Sequence, residues 1–483
     1  MKPKYNPLLL ALVALVFSGL ACQAAMSPST APTASSAATA VSATDAPATP
    51  ISAATDQPQA AAGIKPAVMP SKGPGMVCVG GSNGLSCLGD KGWQVYTSEN
   101  SKLPSDYLYA GAVCPDGTLA IAHGSGVSLF DGKNWKQIPP TDNYSSAEDL
   151  ACESDGGIWV AHFKGVSHYT KGKWSTYGAD NLASGASSND LVSDVKVAPD
   201  GKVWVLTSRS VALFENGAWT IFQEGQGFDG SRFFDALTLD ASGRPWAAHS
   251  NGVDVYDSGK WQPITKSDYN SPTSIAVDAK GQAWLGTLSD GTFVFDGSSW
   301  SQHNRDSKDL SSNSVAAIAA DGAGRVWVGS SYGLTVFDGT NWQTFLMSNS
   351  DLGDNDILFI LLTNDGPSLP ALTEKTTASL TGKLHDASKK ALAGVRVELC
   401  VETLGTSFSG DTPCSDQPFF LTTKTDQDGA FTFENIPTGY YVIVSENGSG
   451  GWAQLSDQFG ISSERTLVKP GEKVDIGTLT LDK

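Results

Sequence analysis

The chain has 483 residues, enough for two or three domains, and its 40% hydrophobic content is ordinary for a protein with a real core. Its 50 acidic against 32 basic residues give a formal net charge of −18, which argues against nucleic acid, where clustered Lys and Arg must neutralise phosphate. The acidity reads as a solvated, solubilising surface, with a preference for cationic ligands as the sharper alternative.

Residues 1–22 read as an export signal: Lys2 and Lys4 supply the positive start, and Leu8–Phe17 is an apolar run too short to span a membrane. Gly19-Leu20-Ala21-Cys22 resembles a bacterial lipobox, whose cysteine becomes the lipidated first residue, although Gly19 stands where Leu is usual. Gly19-x-Ala21 equally suits an ordinary signal peptidase. The expected location is therefore extracytoplasmic, as a membrane-anchored lipoprotein or a secreted or periplasmic protein. No later apolar run reaches the ~18 residues of a membrane span. Residues 23–72 are almost wholly Ala, Ser, Thr, Pro and Gln, which cannot bury a core. As a flexible coil they would span roughly 40 Å and serve as a tether.

From residue 73 to 366 the chain repeats. Tryptophan recurs at Trp93, Trp135, Trp174, Trp219, Trp261, Trp300 and Trp342, at steps of 42, 39, 45, 42, 39 and 42 residues. One unit, Ser312–Trp342, reads as four short strands: Val315–Ala319, closed by an Asp321-Gly322 turn, then Arg325–Gly329, Gly333–Phe337, and a last strand from Trp342. Four strands per period of this size predict propeller blades. The array begins in mid-unit, because Met76–Trp93 matches Val326–Trp342 with no first strand before it. Residues 354–366 look like that missing strand, so the prediction is a seven-bladed β-propeller closed by strand exchange between its two ends. Asp116, Asp155, Asp200, Asp240, Asp278, Asp321 and Asp365 recur as one column of turn residues, and Trp159, Trp204, Trp246, Trp284 and Trp327 are expected to fill the space between blades.

The run Asp-x-x-Gly-x-Val-Trp-Val-Gly-Ser/Thr-x-x-Gly-Leu-x-Val-Phe-Asp, as in Asp321–Asp338, resembles the two-component-regulator propeller repeat of extracytoplasmic sensor regions in bacterial histidine kinases. The resemblance covers about 290 residues. It implies a sensor-like ligand-binding or scaffold role, without the membrane helix and kinase that usually follow such repeats.

Residues 367–377 read as a linker and residues 378–483 as an antiparallel β-sandwich of Ig-like or prealbumin-like type, since apolar and polar residues alternate between Gly, Pro and Asp turns. Thr425–Tyr441, reading Thr-Asp-x-Asp-Gly-x-Phe-x-Phe-x-Asn-Ile-Pro-x-Gly-x-Tyr over its length, resembles the carboxypeptidase-regulatory-like (transthyretin-like) domain, a structural or adhesive module. The whole is all-β. Seven cysteines become six if Cys22 is lipidated, an even set that suggests disulfides in an exported chain. Cys78 with Cys87 across a hairpin, Cys400 with Cys414 around a loop, and Cys114 with Cys152 in adjacent blades are the candidate pairs.

For chemistry, one column stands out. His123, His162 and His249 occupy the end of the second strand, where other blades carry Thr207, Thr287 and Ser330. They are candidate ligands or general bases on a rim, with a polar turn role as the plainer reading. Asp149 and Asp194 take equivalent places on neighbouring first strands, with Asp235 one residue displaced in the next, and Asp190 and Arg232 join the connections there. The binding expectation is a rim site for a small molecule, glycan or protein partner, with no cofactor firmly implied and a divalent metal the one candidate. Motifs for a nucleophile elbow, a zincin helix, a phosphate loop or a dinucleotide fold do not occur. A non-enzymatic binding protein is the leading expectation. A metal-dependent propeller lyase or hydrolase, and a surface adhesion or scaffold protein, are the alternatives.

Overall fold

The computed structural model describes residues 75–139, 147–182, 191–228, 230, 233–266, 269, 271–363, 365–401, 412–415, 417–447, 451–455 and 465–481. All of them belong to one compact unit, Lys65–Thr403 with Ser409–Lys483. Apart from a helical turn at Ala179–Leu182, the regular structure is strand, in a propeller-like arrangement. No helix among the described residues is long and apolar enough to cross a membrane.

The repeat region forms seven sheets of four or five strands, six of them in chain order. In the unit read above, the strands are Val315–Ala320, Val326–Ser330, Gly333–Phe337 and Trp342–Phe345. The first strands of successive sheets lie side by side, and the series returns from Val315–Ala320 through Phe359–Thr363 to Leu108–Val113. The sheet at the seam combines both ends of the array: Phe359–Thr363 pairs antiparallel with Met76–Gly81, from Met76 opposite Thr363 to Gly80 opposite Phe359. This strand is shorter than the 354–366 stretch read from sequence, because Asp354–Leu358 is spent on other contacts described below.

The turn aspartates are not one column but two. In the sheets starting at Phe234, Pro272 and Val315, the acid comes directly after the first strand: Asp240, Asp278 and Asp321. Oδ1 of Asp321 accepts the backbone N–H of Ala323 (3.1 Å) and Arg325 (2.9 Å), while Oδ2 accepts the indole N–H of Trp327 at 2.9 Å. Asp278 and Asp240 hold Trp284 and Trp246 in the same way, each at 3.1 Å. Asp116, Asp155 and Asp200 fall two places later and cap only the turn, through the N–H of Thr118, Gly157 and Lys202. The shift is hidden in the sequence because both kinds precede the same turn glycine. That glycine is Gly324 rather than Gly322 in the unit read above, with φ +83 against a left-handed requirement that other residues meet poorly.

The core lies between sheets. Trp159 touches Phe214 (5.4 Å between ring centroids) and Trp219 (6.3 Å) of the next sheet, Trp204 touches Tyr256 and Trp261, and Trp284 touches Phe337 and Trp342. Trp327, fully buried, closes the circuit against Val77, Val79 and Leu88. All three cysteine pairs form disulfides, Cys78–Cys87, Cys114–Cys152 and Cys400–Cys414. Cys114–Cys152 has Cα atoms 5.0 Å apart and staples two adjacent sheets.

After Thr363 the chain follows a docked path: Asp365 and Pro367 carbonyls accept from the Arg325 guanidinium, Pro370 O accepts from Gln343, and the N–H groups of Thr373 and Lys375 donate to Asn349 O and Ser348 O. The tail has two sheets. Ala378–Asp386 lies between Ala430–Ile436 and Lys473–Leu481, and Arg396–Cys400 lies between Phe420–Lys424 and Gly439–Glu446.

Trp327→Ala, which empties the space beside the seam, is expected to cost about 3–5 kcal/mol. Equilibrium urea unfolding checks this, and a shift worth less than ~1 kcal/mol would show that the seam does not depend on that ring.

Candidate functional site

Antiparallel pairing sets the start of each first strand against the end of the second: Leu108 faces His123, Ala147 faces His162, and Phe234 faces His249. One face of the ring therefore carries the turns between second and third strands together with the connections that enter the first strands.

The three histidines point inward from this face. His123 and His162 are fully buried and His249 nearly so. Nδ1 of His123 accepts the Ser125 N–H at 3.2 Å, which leaves Nε2–H to donate to Ser128 Oγ at 2.8 Å. His162 repeats the pattern with Lys164 N–H and Ser167 Oγ. His249 accepts from Asn251 N–H at 3.1 Å and sets Nε2 3.2 Å from Asp254 Oδ2. Burial pulls both His123 and His162 down to about 4, so their rings are neutral at physiological pH. Thr207, Thr287 and Ser330 do the same work with a hydroxyl, accepting from Ser210, Asp290 and Tyr332 N–H. Each histidine closes its own hairpin, and the column brings none of the three together.

The acids behave differently. In six of the seven sheets the first strand bulges just after its start, and Asp149 and Asp194 are the residues that follow the bulge. Each reaches the next first strand, Asp149 accepting Val195 N–H at 3.0 Å and Asp194 accepting Leu237 N–H at 3.1 Å. Ser274 accepts Ile318 N–H in the same manner at 2.9 Å. Lys196, absent from the sequence reading, bridges Asp149 and Asp194, at 2.9 Å from the latter. Its signal was the strand period of two, which puts Lys196 on the face of Asp194. Burial pulls Lys196 down, but the two carboxylates outweigh it and hold the ammonium charged. Burial likewise pushes Asp149 up against the pull of Lys196. This trio stitches first strands to one another.

Asp235 takes the bulge position itself, as Glu148 does, and both side chains are exposed. No hydrogen bond or ion pair joins Asp235 to the Lys196 trio. The surrounding protein pushes its carboxyl up to about 7 by desolvation. Asp190, Arg232 and Cys22 lie outside the described residues.

Sequence reading also missed the apolar side chains of this face. Among the described residues five large hydrophobics are exposed, and four stand here. Phe163 (42%) and Leu288 (43%) occupy turns after second strands, while Tyr107 (44%) and Phe233 (57%) directly precede first strands. Their signal was a bulky apolar residue where turn formers are expected.

Elsewhere on the face the tail is docked. Arg465 pairs with Asp354 (2.8 Å) and Asp356 (3.8 Å) and lies over the Tyr440 ring at 5.1 Å, and Asn83 donates to Asp354 at 2.6 Å.

The pKa of Asp235 is raised on folding, so its stabilising contribution is complete below about pH 4 and is lost as pH climbs to about 7. Asp235→Asn is expected to flatten the fall in Tm over that interval. Thermal melts of both proteins from pH 4 to 8 check this, and parallel curves would refute it.

The model of the family described as two component regulator propeller matches residues 309–332. No curated protein matches the chain. Among solved structures, the extracellular domain of a putative hybrid two component system from B. thetaiotaomicron is 19% identical at TM-score 0.45, over 54% of this chain and 36% of that one. PorZ, a surface component of the type-IX secretion system of Porphyromonas gingivalis, is 15% identical at TM-score 0.44, over 80% of this chain and 63% of that one. A virginiamycin B lyase from Staphylococcus aureus is 13% identical at TM-score 0.44, over 55% of this chain and 94% of that one. The chain thus spans about a third of the length of the first of these. The stretch matched by that model lies within one of the repeats.

Proposed function

We propose that the chain is an exported, non-enzymatic seven-bladed propeller, lipid-anchored through Cys22, that binds a ligand or partner on the face bearing the turns between second and third strands. Residues 1–22 are the signal, 23–72 the tether, 73–366 the propeller, 367–377 the connection, and 378–483 a carboxypeptidase-regulatory-like sandwich. The observation that carries the binding reading is the concentration of exposed Tyr107, Phe163, Phe233 and Leu288 on this one face. Exposed apolar side chains gathered on one face, here one on each of four sheets, mark that side as the one for binding. The sealed state of His123, His162 and His249 supports a binding protein over a histidine-dependent lyase, because a base or metal ligand must reach its substrate.

A thermal-shift screen of the mature protein against sugars, peptides and divalent metals tests the reading. A ligand is expected to raise Tm, and Phe163→Ser with Phe233→Ser is expected to abolish that rise while leaving the unliganded Tm in place. A blank screen, or a shift indifferent to both substitutions, would remove this face as the site. Lipidation is checked separately by palmitate labelling of whole cells, which Cys22→Ser should abolish.

A further inference from the structure

The face already binds a protein surface, that of the chain's own tail, and the manner of that binding is informative. Tyr332, in the turn between Val326–Ser330 and Gly333–Phe337, is only 9% exposed because it enters the tail core with Ile436, Tyr441 and Val468. Beside it, Arg465 from the tail reaches Asp354 and Asp356 on the connection that enters the strand Phe359–Thr363. The contact thus joins an apolar ring in a turn of the face with acids at the entrance to a first strand, and the tail answers with apolar side chains and one guanidinium.

A similar pairing recurs among the described residues on the rest of the face. Phe163 occupies the turn matching that of Tyr332, and Glu148, at the bulge of the same sheet, is exposed. Phe233 precedes the next first strand but one, with Asp235 exposed two residues later. Arg209 lies 5.7 Å from the Phe233 ring, so this ring already accepts a guanidinium over its surface. Desolvation of Asp235 makes its ionised form costly, and a cation brought against it would relieve that cost.

Building on the binding face proposed above, we infer that its open arc docks a polypeptide that presents arginine or lysine beside apolar side chains, as the tail presents Arg465 beside its own core. The apolar part fits over Phe163 and Phe233, and the cation fits against Asp235. Charge complementarity selects this occupant over an acidic or neutral one.

The test uses the mature protein and fluorescent synthetic peptides of two compositions, one alternating leucine with arginine and one alternating leucine with glutamate, followed by anisotropy. The Leu/Arg peptide is expected to bind saturably, and the Leu/Glu peptide is not. Phe163→Ser with Phe233→Ser should weaken binding by roughly tenfold or more with an unchanged melting curve, and Asp235→Asn should weaken it as much. Equal binding of the two peptides, or binding indifferent to these substitutions, would overturn the inference. So would sedimentation showing that copies of the chain associate through Phe163, which would make the occupant a second copy. Failure of the peptide while an oligosaccharide binds in a Phe163-dependent way would overturn the polypeptide assignment and leave the binding face standing. If neither probe binds and the thermal-shift screen is blank, both readings fall.

Discussion

The ring's regularity depends on one contact, the carboxylate that follows a first strand and accepts the indole N–H of the second strand. In Asp321 the two oxygens divide the work, one gathering the turn's backbone N–H groups and the other fixing Trp327. Fixing the indole by its nitrogen leaves its apolar face to project into the next sheet, so a local turn bond sets the spacing of the whole ring. Glu153 performs the same task for Trp159 with a longer side chain, and its second oxygen holds His168, stacked on that indole with ring centroids 4.0 Å apart.

In two of the sheets that lack this contact, covalent bonds stand in its place. Ala120 takes the tryptophan position in the sheet that begins at Leu108, and Cys114 takes the carboxylate position. Cys114 reaches Cys152 of the following sheet, replacing an indole wedge with a disulfide between the same two neighbours. In the seam sheet the tryptophan position is Cys78, joined to Cys87 directly across the hairpin. Neither cross-link spans the seam itself, and each restricts the unfolded chain soon after its entry into the array.

Much of this was legible in sequence because strand period and turn chemistry are local. Tryptophan spacing, the incomplete first unit and the cysteine pairs all read through. What did not read through depends on packing between repeats. The two aspartate columns merge in a linear alignment, since only the indole partner distinguishes Asp321 from Asp200. The histidine column looked like a rim of ligands because sequence marks a position but not the direction in which a side chain turns, and Ser128 and Ser167 draw the rings inward. Lys196 and Phe163 were unremarkable as single residues. They acquire meaning from Asp149 on the preceding first strand and from the other exposed rings on the same face.

The paths of the two chain ends then account for which part of the face is open. Met76 pairs with Thr363, at the opposite end of the seam sheet from the Gly81–Gly84 turn, so the array is entered on the face away from the proposed site. The strand Phe359–Thr363 ends on that same far side, yet the tail docks on the near face. Residues 365–375 make up the difference, held first by Arg325 at the far side, then by Gln343 on the outer strand, and last by Ser348 and Asn349 beyond that strand's near end. A connection bonded at each stage holds the tail over Tyr332 and Asp354, so it is not free to sweep across Phe163 and Phe233. Among the described residues, the chain's own β-domain is tied to the sector of Tyr332 and Asp354 and makes no contact with that arc.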